Sequence, residues 1–142
     1  MKQLKEILPL SLASLYRAKM RNERRVDKKY TDWIRTQPCA KCQRKPVVVA
    51  HQRILGGGGM GLKPSDYDAL PLCNECHHYE HQYGYVSLWW DVDKDRNGIF
   101  RVYTSLKQEC AEKVSQICDK HMEGYLAETG IDAKRELESE AV

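Results

Sequence analysis

The chain has 142 residues and a mass of 16.5 kDa, with 42% hydrophobic residues, 30% charged residues and a mean hydropathy of -0.66. This is the composition of one globular domain with a modest core; a disordered chain is excluded, and no stretch is long and apolar enough to cross a bilayer. The net charge of +3 conceals an asymmetry, because residues 1–63 carry 15 Lys/Arg against 4 Asp/Glu and residues 64–142 carry 8 against 16.

In chain order, Leu4, Ile7, Leu8, Leu12, Leu15 and Tyr16 recur at helical spacing and predict one or two helices over residues 2–29, bent or restarted at Pro9. Glu6 before the apolar run, Pro9 inside it, basic residues after it and the lack of a small-x-small cleavage site argue against an export signal, so a reducing, cytoplasmic compartment is expected. Arg17 to Lys29 is nearly all polar. It reads either as a solvated helix face or linker, or as an arm whose Arg21, Arg24, Arg25, Lys28 and Lys29 contact phosphates. Tyr30, Trp33 and Ile34 share a helical face leading toward Pro38. Residues 1–36 thus form a basic helical segment.

Residues 37–90 differ in character. Cys39-Ala-Lys-Cys42 is a tight turn, and Val47 to Ile54 reads as a strand in which Val47, Val49, His51 and Arg53 point to one face, placing Arg53 beside His51. Gly56 to Gly59, Gly61 and Pro64 require a loop; it lacks the Gly-Lys-Ser/Thr entry into a helix that a phosphate-cradling P-loop needs. Asp68 to Leu72 is extended, and a helix from His77 to about Tyr83 ends at Gly84. Val86, Leu88, Trp89 and Trp90 supply core or interface.

Residues 91–127 hold a polar turn and an amphipathic helix. Asp91, Asp93, Asp95 and Gly98 suggest a calcium loop, but no glutamate closes it, and a turn is the expected structure. The helix runs from Leu106 to Leu126 with Cys110, Val114, Ile117, Cys118 and Tyr125 on its apolar side. Cys110 and Cys118 read as packing residues and His121 as a surface or capping residue. Residues 128–142 read as an acidic, frayed tail.

The two C-x2-C pairs, Cys39/Cys42 and Cys73/Cys76, each offer two thiolates from one turn, and together they make a closed four-thiolate site for a structural Zn2+, with a redox dithiol or a disulfide as the alternative. Immediately after the second pair, His77 and His81 stand at i and i+4 on one helical face, suited to gripping one divalent ion. Neighbours such as Cys76 and His77 point about 100° apart around a helix axis, so they can serve different ions. His78 faces away, as a solvent or substrate contact.

Residues 39–84, about one-third of the chain, resemble the zinc-stapled HNH (His-Me finger, ββα-metal) nucleases: C-x2-C, a strand histidine, a loop, then C-x2-C-H with a further helix histidine. The strings His51-Gln52-Arg53, Gly61-Leu62-Lys63-Pro64-Ser65-Asp66 and Pro71-Leu72-Cys73-Asn74-Glu75-Cys76-His77 are closer still to phage recombination-enhancement nucleases of the Ref type and related prophage proteins. The resemblance implies a small α+β fold with flanking N- and C-terminal helices. It further implies a metal-dependent DNA endonuclease of low sequence specificity in a bacterial cytoplasm, acting on DNA engaged by a recombinase filament. His51 then corresponds to the general base, and His77 and His81 to helix positions at a catalytic Mg2+, Mn2+ or Zn2+. Ala50 stands where the pattern carries an Asp or His ligand, and either Asp66 or Asp68 could restore an oxygen ligand, Asp66 being preferred. A noncatalytic zinc-binding DNA adaptor is the alternative.

The chemistry of such a site is self-consistent. A neutral imidazole can take the proton of a water at physiological pH, while one divalent ion serves the charge on the phosphate and the leaving 3′ oxygen. Arg53 would add a fixed charge beside the scissile phosphate or hold the DNA backbone, and Lys63 would reach another phosphate.

Overall fold

The computed structural model describes residues 11–56, 64–90 and 96–138, with side chains described except at 90 and 96–105. Outside it lie the expected helical residues Leu4, Ile7, Leu8 and Pro9, the middle of the glycine loop with Lys63, and the aspartates at 91, 93 and 95. Helix α1 (Leu12–Glu23) begins where the Ser11 hydroxyl accepts from the Ser14 N–H at 3.0 Å, and α2 (Lys28–Ile34) where the Asp27 carboxylate accepts from the Tyr30 N–H at 3.1 Å. Each cap satisfies an amide that has no partner in the first helical turn.

Strands β1 (Val48–His51) and β2 (Ala69–Leu72) pair antiparallel, with Val48 opposite Leu72 and His51 opposite Ala69. A 3-10 turn follows β1 at Arg53–Leu55 and another precedes β2 at Asp66–Asp68. β1 therefore ends earlier than the β-branched run suggests. Arg53 leaves the ladder for the turn, with its backbone N–H donating to the Tyr85 hydroxyl at 3.2 Å, so strand alternation no longer sets it beside His51. Helix α3 (Asn74–Tyr83) stops at Gly84, whose φ of 91° is a conformation open to glycine. Then come α4 (Tyr85–Trp90), the long α5 (Arg96–Thr129) and α6 (Ala133–Glu138).

Two apolar clusters organise these elements. The first gathers Cys39, Cys73, the inward residues Ala50, Leu70 and Leu72 of the strands, and Val86, Leu88 and Trp89 of α4. The second packs Tyr16 and Met20 of α1 with Tyr30 and Ile34 of α2 and with Tyr67. α5 serves both, giving Cys110, Val114 and Cys118 to the first cluster and Met122 and Tyr125 to the second. Cys110 and Cys118 are thus packing residues, fully buried and unbonded.

Three further expectations change. The helix predicted over Leu106–Leu126 is longer at both ends, running from Arg96 to Thr129. The acidic tail is not frayed throughout, since Ala133 on α6 is buried in the second cluster. The run from Arg17 is not uniformly solvated either. The Arg17 guanidinium is buried, with Nη1 on Asp68 Oδ1 at 2.6 Å and on the Tyr67 carbonyl at 3.1 Å, Nε on Asp119 Oδ1 at 2.8 Å and Nη2 on Ser115 Oγ at 2.6 Å.

Candidate functional site

The four cysteines of the two C-x2-C pairs converge with sulfurs within 4.8 Å of one another and are unbonded, so they could bind a metal such as zinc. Cys42 Sγ and Cys73 Sγ are 3.5 Å apart. In each pair the amide of the second cysteine points at the sulfur of the first, Cys42 N to Cys39 Sγ and Cys76 N to Cys73 Sγ, both at 3.5 Å. These are the local turns that the two-residue spacing predicts. The Ala40 N–H donates to the Pro71 carbonyl at 2.8 Å and ties the first turn to β2. Burial raises the Cys73 thiol, and burial with the neighbouring sulfurs raises Cys76, whereas a backbone hydrogen bond at Arg44 brings Cys42 down to about 6. Four thiolates at this spacing repel one another, and a bound cation is what would let all of them ionise.

His51 ends β1 and faces the 3-10 turn before β2. Its Nε2 is 2.8 Å from Asp66 Oδ1, with the ring and the carboxylate both half-buried. Asp66 is held in turn, because its Oδ2 accepts the Asp27 N–H at 2.8 Å and its own N–H donates to the Arg25 carbonyl at 2.8 Å. With Nε2 hydrogen-bonded to a carboxylate, Nδ1 is the nitrogen left to take a proton.

On α3, His77 and His81 bring their Nε2 atoms to 3.3 Å, rings edge to face with centroids 4.5 Å apart. His77 is held below the usual imidazole range, first by burial and then by His81, which favours the neutral, ligating form. Glu80, three residues after His77, joins them: His77, Glu80 and His81 each offer a ligand atom within 4.8 Å of the others. His51 and Asp66 are not in that group, so the imidazole of β1 and the pair on α3 stand as separate constellations at this spacing. His78 is exposed, as expected.

Sequence reasoning missed Glu80 and Gln52. Glu80 is only 3% exposed, and burial pushes its carboxyl up to about 7. Its Oε2 accepts from Gln52 Nε2 at 3.0 Å; Gln52 is itself fully buried and also donates to the Ala50 carbonyl at 3.1 Å. The available signal was position: Glu80 falls on the inward face of α3, one turn beyond Cys76 and His77.

The carboxylate left open between Asp66 and Asp68 is resolved in part. Asp68 is fully buried between Arg17 and Arg21 (Arg21 Nε on Oδ2 at 2.9 Å), an ion-pair core with no histidine, so it is corrected from metal ligand to internal counter-ion. Asp66 is in contact with His51 and apart from the α3 group, which makes it a partner of the candidate base. Arg21, expected on DNA, is half-buried on Asp68 and the Leu55 carbonyl (3.3 Å). Arg24, Arg25, Lys28, Lys29 and Arg53 are exposed. Arg21, Arg24, Arg25 and Ser65, with Glu23 and Asp68, line an open cleft of about 370 Å³ at the end of α1.

These elements define an α+β protein with a cysteine cluster fit for metal and a small two-stranded sheet followed by a histidine-bearing helix. Residues 5–86 match the family described as protein of unknown function (DUF968), and the chain belongs to that family. The matched span contains the four cysteines, His51, Asp66, His77, Glu80 and His81. An uncharacterized protein of Escherichia coli (strain K12), YdfU, is 43% identical over 61 residues, which cover 43% of this chain and 18% of that relative. No solved structure matches. No helix among the described residues is long and apolar enough to cross a membrane.

Proposed function

We propose that this chain is a metal-dependent endonuclease of the His-Me finger kind, hydrolysing DNA phosphodiester bonds with low sequence specificity. The observation that carries the reading is the His51 Nε2 to Asp66 Oδ1 contact of 2.8 Å. It gives His51 the arrangement a general base requires: one ring nitrogen anchored by a fixed carboxylate, the other available to remove a proton from an attacking water.

His77 and His81 would hold the divalent ion, and their 3.3 Å nitrogen separation fits two ligands of one ion. Imidazole donors suit Mn2+ or Zn2+ better than Mg2+, which prefers oxygen. Such an ion, when bound, supplies charge stabilisation at the scissile phosphate and at the leaving oxygen. Cys39, Cys42, Cys73 and Cys76 would hold a structural Zn2+ that fixes β2 and α3 relative to the turn before β1. Exposed Arg24, Arg25, Lys28, Lys29 and Arg53 would hold the phosphate backbone, which positions DNA without reading its sequence. A substrate presented on a recombinase filament, in a phage or prophage setting inside a bacterium, belongs to the same proposal and rests on resemblance.

One observation favours the second reading, a noncatalytic zinc-binding DNA adaptor. Ala50, buried against the strands, supplies no ligand where the nuclease pattern carries one. Supercoiled plasmid incubated with the protein and Mn2+ separates the two. Nicking that disappears in His51→Ala, a loss of about 10²- to 10⁴-fold for a general base, supports the enzyme; retention of plasmid on the protein with no cleavage in any divalent ion supports the adaptor.

A further inference from the structure

We infer that Glu80 is a positioning residue for the helix metal site: its Oε1 accepts a hydrogen bond from the Nδ1–H of His77, so that the Nε2 lone pair of His77 is presented beside that of His81. The inference rests on the reading that His77 and His81 bind a divalent ion, and it adds what sets their geometry.

Two atoms motivate it. His77 Nδ1 and Glu80 Oε1 are both buried and both lack a hydrogen-bond partner, and they lie 3.9 Å apart. Orphaned buried polar atoms are rare because each forfeits its hydration, and closing the 3.9 Å gap would satisfy this donor and this acceptor together. The carboxylate side of this pair is fixed. Glu80 Oε2 is held by Gln52 Nε2 at 3.0 Å, and Gln52 is held by the Ala50 carbonyl at 3.1 Å and by Trp89 Nε1 on its Oε1 at 3.4 Å. The moving part is therefore the imidazole.

Ligating histidines generally give their second ring N–H to a carboxylate or carbonyl, which sets the tautomer and raises ligand basicity. Only the tautomer with the proton on Nδ1 leaves Nε2 free to ligate, and Nε2 is the atom that meets His81 at 3.3 Å. The network also links the two constellations through the backbone: Gln52, which anchors Glu80, directly follows His51.

The test uses the full chain with its cysteine-bound zinc retained and Co2+ as the probe of the second site. In the wild type, imidazole 15N–1H correlation spectra with and without metal should show the His77 proton on Nδ1, and Co2+ should bind in a manner abolished by His77→Ala. Glu80→Ala and Glu80→Gln should weaken Co2+ by about 10- to 100-fold while leaving the cobalt absorption bands those of the wild-type ligand set. Wild-type spectra that put the His77 proton on Nε2, an unchanged Co2+ affinity in both variants, or bands altered by the loss of an oxygen ligand, which would make Glu80 a direct ligand, would each overturn the inference. So would a wild type that binds no Co2+ through His77. A protein that binds Co2+ as described yet cuts no DNA defeats the nuclease reading and supports the inference on Glu80.

Discussion

Arg17 and Asp68, fifty-one positions apart, meet at 2.6 Å in the interior, with the carboxylate completely shielded from solvent. The pair joins α1 to the 3-10 turn that leads into β2, and Asp119 and Ser115 bring α5 to the same guanidinium. Burial alone raises the Asp68 carboxyl, and Arg21 and Arg17 oppose that rise by favouring its charged form. Removing one partner strands the other's charge in the core. Asp68→Ala is expected to cost about 3–5 kcal/mol, read as a lower urea midpoint at unchanged slope; Asp68→Asn, which keeps hydrogen-bond acceptance, should cost less.

The cysteine cluster should behave as a structural metal site. The expected outcome is one zinc per chain by elemental analysis, lost in Cys39→Ser or Cys73→Ser. Cys39 and Cys73 also belong to the first apolar cluster, so a strong chelator should unfold the sheet and α3. Circular dichroism during chelation, followed by zinc addition, checks this.

Under the proposed nuclease reading, Asp66 would orient His51 without itself transferring a proton, so Asp66→Asn should lower the plasmid-nicking rate less than His51→Ala does and leave DNA affinity unchanged. Asn can still accept from Nε2–H, but it lacks the charge that favours imidazolium formation. Single-turnover rates for both variants at saturating DNA decide the order.

One part of the pH dependence of stability should trace to His121. Burial holds this imidazole below its ordinary value of 6.5, with the hydrogen bond to the Ile117 carbonyl (2.9 Å) opposing. A depressed histidine is neutral in the fold and binds a proton more readily when unfolded. Its contribution is therefore fully present above pH 6.5 and is lost as pH falls from there toward the depressed value. Urea midpoints of wild type and His121→Gln should differ more at pH 7.5 than at pH 5.5.

Much of the site was legible as spacing. The C-x2-C pairs, the i,i+4 histidines, the glycine that stops α3 and the packing role of Cys110 and Cys118 are local facts, because turn and helix geometry over a few residues sets which side chains share a side. The partition of the acidic and basic residues was not legible. Arg17 and Arg21 look the same as Arg24 and Arg25 in a run of charges, and Asp66 looks the same as Asp68 two positions on. Yet Arg17 and the half-buried Arg21 both bond to the buried Asp68, while Asp66 meets His51.

By itself, then, the amino-acid order determined the donors: four sulfurs in two turns, one imidazole on a strand, two on a helix. The tertiary structure alone decided which carboxylate serves which partner, and it placed Glu80 and Gln52 behind His77. The physical reason is that charge and hydrogen-bond pairing depend on distance and burial between segments far apart in the chain, and these exist only once α1, the strands, α3 and α5 have packed together.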